Sequence, residues 1–279
     1  MSARPTLAEL RAKAHKERHR EIGNWLARRV GRPAAIYGTW LAVRLGVSAN
    51  QVTSLALTVN LLAAIGIGSG TRWGFVVGVA LLHLGFWLDH VDGQVARFLA
   101  TSSLDGVYFD YMMHHAAGLG LGFALGHGLT RHSGDSNWSI AGFAIAFGWI
   151  GLSLHNDCRY KAFFQQLKRE TRTGRVQGGG GSRPSPPTPW PRRGMGLISW
   201  PLYKLCEPQI VLLVLTGNAA LMAISDRLGF LAWGSTAVIF AALAPPLAVA
   251  RVWRSIRRGA LKSEFTAWFP DFESATRID

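Results

Sequence analysis

Six stretches of this chain are each close to the ~20 mostly apolar residues that a membrane-spanning helix needs. They run over 51–70, 73–97, 104–129, 138–156, 207–224 and 230–253. So much apolar sequence in 279 residues excludes a disordered chain and argues against an ordinary soluble enzyme. Charged residues make up 16% of the total, against ~25% in soluble domains. Two cysteines are too few for a disulfide-built scaffold. The expected fold is an all-α integral membrane protein with six transmembrane helices. Pro245 and Pro246 lie inside the sixth stretch and predict a kink there.

Lys and Arg number 30 against 16 Asp and Glu, for a net charge of +14. In a soluble protein that excess would suggest nucleic acid. In an apolar chain it marks basic loops on the cytoplasmic side of a bilayer, so no nucleic-acid partner is expected. With both termini cytoplasmic, the outside loops carry only Arg72, Arg131 and Arg227 of the 30. The localisation expected is a multi-pass protein of a bacterial cytoplasmic membrane, with its active site facing the cytoplasm.

Residues 1–30 lack the apolar core of a signal peptide. They read as an amphipathic helix along the membrane surface, with Leu7, Leu10, Ile22, Trp25, Leu26 and Val30 as its apolar positions. Because 13–21 is polar all round, a solvated charged helix is the alternative. The domain plan is a cytoplasmic juxtamembrane segment over 1–50, a six-helix domain over 51–253 and a cytoplasmic tail over 254–279. Within it, 173–194 is rich in Gly, Pro and Ser and reads as a flexible cytoplasmic loop. Cys158 and Cys206 flank this loop on the reducing side and are expected to be free thiols.

The informative anomaly is the charged run at the junction of the second and third stretches. A carboxylate at membrane depth costs roughly 2.5–3.5 kcal/mol on insertion scales, so several together need a partner or a function. Asp89, Asp92, Gly93, Ala96 and Arg97 fall at i, i+3, i+4, i+7 and i+8, on one helix face. Gly106, Asp110 and His114 share a face of the next helix, at i, i+4 and i+8. The connection over 98–105 is short, so the two helices are antiparallel neighbours and both faces can line one cavity. Converging oxygens suit Mg²⁺ or Mn²⁺, which normally complete their coordination with water and substrate phosphates. Gly93 and Ala96 remove bulk beside the helix backbone, and Arg97 can pair bidentately with a phosphate.

The spacing reads D-x2-D-G-x2-A-R-x8-G-x3-D-x3-H. It resembles the signature of the CDP-alcohol phosphatidyltransferase family, D-x2-D-G-x2-A-R-x8-G-x3-D-x3-D. Seven of the eight fixed positions match, and His114 stands where the family has its last Asp. Six helices with cytoplasmic ends, and the segment SANQVT over 48–53 leading into the first, are similar to the family as well. The resemblance implies an enzyme that moves a substituted phosphoryl group from a CDP-linked lipid or alcohol to an acceptor hydroxyl and releases CMP. CDP-diacylglycerol is the donor expected, and phospholipid biosynthesis the setting. It implies two metal ions, Mg²⁺ or Mn²⁺, with Asp89, Asp92 and Asp110 as ligands. Gly93, Ala96 and Arg97, with Asp92 shared, would bind the CDP moiety. In the family the last Asp completes the metal site and is the proposed general base. That position passes to His114, beside Asp110, since a neutral imidazole can ligate Mn²⁺ and accept a proton.

Other residues carry two readings each. His83 and His90 favour packing or hydrogen bonding over metal, with His90 adjoining the motif. Arg159 and Lys161 end the fourth stretch and serve either as interfacial anchors or as an acceptor pocket. The run from Gly118 to Gly122, with Gly126, allows close packing within the bundle or a homodimer face. Two further functions compete with the transferase: a catalytically inactive lipid- or nucleotide-binding relative, and an ion-coupled transporter.

Overall fold

The structure is a computed structural model that describes residues 5–14, 25–172 and 196–269. No strand occurs among the described residues. The chain forms α1 (Leu7–Lys13), a π turn (Ala27–Gly31), α2 (Arg32–Arg44), α3 (Ala49–Gly68), α4 (Arg72–Phe98) and α5 (Leu104–Ser133). It continues through α6 (Asn137–Arg172), α7 (Gly196–Leu205), α8 (Pro208–Ile224), α9 (Asp226–Arg257) and α10 (Ala260–Trp268). All six apolar stretches are helices. Four of them, α3, α4, α6 and α9, are long and apolar enough to cross a membrane. α8 is apolar but has 17 residues. α5 has 30 residues, among which six Gly and four His dilute the apolar side chains.

Helix starts follow local sequence. Ser48 and Gln51 form a capping box at α3. Thr71, Ser103 and Ser225 cap α4, α5 and α9 through side-chain oxygens. α6 runs on past residue 156, where the apolar stretch ends, to Arg172. Its continuation, YKAFFQQLKRETR, contains no Gly or Pro to stop it. α9 runs through Pro245 and Pro246 as one helix. Of 1–30, expected to be a surface helix, 7–13 is helical as α1 and 25–30 is helical ahead of α2, while 1–4, 15–24 and the segment 173–194 lie outside the described residues. Of the residues in the tail, α10 is described and 270–279 is not.

Lipid tails are as apolar as leucine, so burial alone does not bring membrane helices together; close packing and polar pairs do. α5 meets α6 along Gly122, Gly126, Gly142 and Ala146. A Cβ on Gly122 would lie 2.7 Å from the Ala146 backbone, and one on Gly126 would lie 2.4 Å from the Trp138 carbonyl. Gly118 has no heavy atom within 4 Å of its Cβ position, so the glycine run packs within the bundle at one end only. Around this seam Phe75, Leu125, Leu129, Ile145, Leu215, Met222, Trp233 and Phe240 form a close-packed core.

The three short connections meet at one end of the bundle. The two ring nitrogens of His132 contact the Gly70 carbonyl at 2.9 Å and Asp226 Oδ2 at 3.3 Å. Arg72 donates from Nε to the Met222 carbonyl at 3.0 Å and from Nη2 to the Ala223 carbonyl at 2.6 Å, capping the end of α8. Gly70 has φ +69°, and a Cβ there would meet Arg131 at 2.6 Å, so glycine makes this turn. The charged run lies at the opposite end.

Candidate functional site

α4 ends in a tight reversal. The Thr101 N–H reaches back to the Ala96 carbonyl at 2.9 Å, and Ala100 takes φ +53°, a left-handed conformation that costs a non-glycine residue roughly 1 kcal/mol. Ser103 then caps α5 by accepting the Gly106 N–H at 3.0 Å. This short connection turns the acidic face of α4 toward that of α5. Asp89, Asp92, Gly93, Ala96, Arg97, Gly106, Asp110 and His114, all eight signature positions, line one cavity of about 460 Å³.

Within that cavity Asp89, Asp110 and His114 offer ligating atoms that lie within 4.8 Å of one another. His114 Nδ1 stands 3.0 Å from the Asp110 backbone carbonyl. A carbonyl only accepts, so Nδ1 carries a hydrogen, and in the neutral ring the lone pair is on Nε2. Nε2 faces Asp89 Oδ1 at 3.3 Å. Two electron pairs at that distance are stable when a proton or a cation is shared between them. A backbone carbonyl on the far ring nitrogen is the usual support for a histidine that ligates metal. The donor set of two carboxylates and one imidazole therefore fits a divalent ion, Mn²⁺ or Mg²⁺.

Asp92 stands one turn further along α4, is 7% exposed, and falls outside that trio. It accepts a 2.7 Å hydrogen bond from Thr53 Oγ1 on α3. A buried carboxylate needs such a partner. Sequence reasoning missed Thr53, although SANQVT was the segment singled out, because the contact joins residues 39 apart. His90 contacts Asp89 Oδ2 at 3.5 Å and packs edge-on to Phe86, while His83 pairs with Thr216 at 2.8 Å. His83 thus hydrogen-bonds within the bundle, while His90 packs on Phe86 and lines the polar cavity, its buried Nε2 without a hydrogen-bond partner among the described residues.

A second cavity, of about 450 Å³, opens on the other side of the trio between α4, α5, α6 and α8. Asp89 and His114 line this cavity too. Its deeper wall is apolar, with Leu82, Phe86, Trp149, Leu212 and Leu215. His115, one residue past His114, also lines it and is held by Asp157 at 2.7 Å. Arg159 and Lys161, read from the sequence either as interfacial anchors or as an acceptor pocket, line neither of these cavities. α10 folds back so that Glu264 takes Arg159 Nη1 at 3.0 Å, and Lys161 is exposed. The cation that does line the second cavity is Arg251, which donates to Asn156 Oδ1 at 3.1 Å. Nothing local in the sequence of α9 singles Arg251 out.

Compared with known proteins, the chain matches no family model and no curated sequence.

Proposed function

We propose that this protein is a membrane-embedded transferase that moves a substituted phosphoryl group from a CDP-alcohol to an acceptor hydroxyl and releases CMP. The observation that carries the reading is the convergence of all eight signature positions on one cavity. Positions up to 25 residues apart meet there with the residue types that the resemblance assigns to metal and CDP. Six spans, with both termini and the site at the cytoplasmic face, accommodate this arrangement and the charge asymmetry of the loops.

In this reading Asp89, Asp92 and Asp110 would hold Mg²⁺ or Mn²⁺ ions, and the one lone pair of His114 Nε2 would either complete that metal site or take the acceptor's proton. The ions supply charge neutralisation at the donor pyrophosphate. Gly93 and Ala96 give the nucleotide a bare helix surface, and Arg97 pairs with its phosphate oxygens. The acceptor hydroxyl enters from the second cavity, which meets the first at Asp89 and His114. Its oxygen attacks the phosphorus that bears the alcohol, the bond from that phosphorus to the bridging oxygen breaks, and CMP departs with the electron pair. With Nε2 of His114 free of metal, the hydroxyl proton passes to it. The Asp110 carbonyl keeps the ring turned for this role. CDP-diacylglycerol is the donor proposed, in lipid biosynthesis.

The test is CMP release by purified protein with Mn²⁺, CDP-diacylglycerol or a water-soluble CDP-alcohol, and a panel of hydroxyl acceptors. Metal-dependent release supports the reading. Nucleotide binding without release assigns a binding-only relative and removes the transferase, and the absence of both binding and release removes the proposal altogether.

A further inference from the structure

Arg97 is not the one guanidinium on the polar cavity. Arg32, at the start of α2, lines it too. Its placement is built. The π turn Ala27–Gly31 shifts the helix register immediately before it, a device found often at functional sites. The Arg32 carbonyl accepts a 2.9 Å hydrogen bond from Gln94 Nε2, and Gln94 Oε1 accepts one from Thr39 at 2.9 Å. Gln94 is 1% exposed, so this clamp is fixed in the interior and pins Arg32 opposite the motif. Gly31 allows the approach, since a Cβ there would lie 2.3 Å from the His90 ring.

Arg97 is set from the same segment. Its Nε donates to the carbonyl of Ala14, the residue that ends α1, at 2.8 Å. α1 is anchored there by Leu10 and Ala14, both fully buried beside Ile36, Trp40 and Phe98. With Nε held, Nη1 and Nη2 spread over Gly93, 3.2 and 3.6 Å from where its Cβ would stand. Within this cavity Asp89 and Asp110 group with His114, while Arg32 and Arg97 lie near each other, with Asp92 beside Arg97.

We propose that Arg32 and Arg97 form a paired guanidinium site for the pyrophosphate of the nucleotide donor, with the Gln94 clamp and α1 as its positioning elements. A multiply charged anion can accept hydrogen bonds from two guanidinium groups at once. This inference rests on the CDP-alcohol reading in one respect, the identity of the anion.

The experiment is equilibrium binding of CDP and of cytidine to the full-length protein in detergent with Mn²⁺. Arg32→Gln is expected to weaken CDP binding by about 10-fold or more, as for a lost hydrogen bond to a charged group. It should leave cytidine binding and the melting temperature unchanged, and Arg32→Lys should restore part of the CDP affinity. Leu10→Asp, which undocks α1, should weaken CDP in the same direction. Unchanged CDP binding by Arg32→Gln overturns the proposal, and so does equal loss of CDP and cytidine. A wild-type protein that binds no CDP overturns it together with the transferase reading. Arg32-dependent CDP binding without CMP release upholds this site and removes the transferase.

Discussion

His114 on α5 and Asp89 on α4 face each other at 3.3 Å, Nε2 to Oδ1, and both residues line the polar cavity and the apolar one beside it. Any chemistry that joins a ligand from each side takes place between them. The departure of His114 from the family signature is therefore at the centre of the site.

His114→Asp should retain CMP release and shift metal preference from Mn²⁺ toward Mg²⁺, because an oxygen replaces a nitrogen ligand. His114→Ala should lower the rate by about 10²-fold or more if the imidazole takes the acceptor proton. Rates measured in each metal check both. A near-full rate for His114→Ala would remove the catalytic role.

Thr53 holds the buried Asp92 carboxylate at 2.7 Å. Thr53→Val leaves that carboxylate without its hydroxyl partner. The expected loss is about 1.5–3 kcal/mol, shared between stability and donor affinity. Thr53→Ser should restore it. Thermal unfolding and donor KM are the measurements, and a neutral Thr53→Val would show that Asp92 is held by other groups.

Gly126 sits against backbone atoms of α6. Gly126→Val should destabilise the bundle by about 1–3 kcal/mol through overpacking. Gly118→Ala, which meets open space, should leave the melting temperature unchanged. Equal effects from the two would contradict the seam described between α5 and α6.

Orientation can be read with a cysteine at Ser182, in the loop beyond the described residues. A membrane-impermeant maleimide should label Ser182→Cys from the cytoplasmic side alone. With the exposed Cys158 replaced by Ser, Cys206 gives a low background, because burial pushes its thiol up to about 11. It stays protonated at neutral pH, and its labelling should rise as pH increases toward that value. Labelling at Ser182→Cys from outside would reverse the topology.

The helices were legible because each apolar stretch is long, and four of them start at the caps Ser48, Thr71, Ser103 and Ser225. The shared faces of the site were legible too, since i, i+4 and i+8 spacings fix a helix side whatever the tertiary fold. What depends on distant contacts was not. Thr53 and Asp92, Gln94 and the Arg32 carbonyl, and Arg159 and Glu264 are joined by packing of separate helices. Local pattern holds no trace of such pairs. Arg72 looked like a loop charge, yet it caps α8 across 150 residues of sequence. The extension of α6 to Arg172 was missed because it is polar, and apolar length marks where a helix crosses a membrane rather than where it ends.

The central claim is a metal-dependent CDP-alcohol site built on Asp89 and Asp110. CMP release from CDP-diacylglycerol, measured for the wild type, Asp89→Asn and Asp110→Asn in saturating Mn²⁺, tests it most directly. The account predicts release by the wild type and a loss of about 10²-fold or more in each variant, with expression and melting temperature kept. Normal turnover by either variant would contradict it.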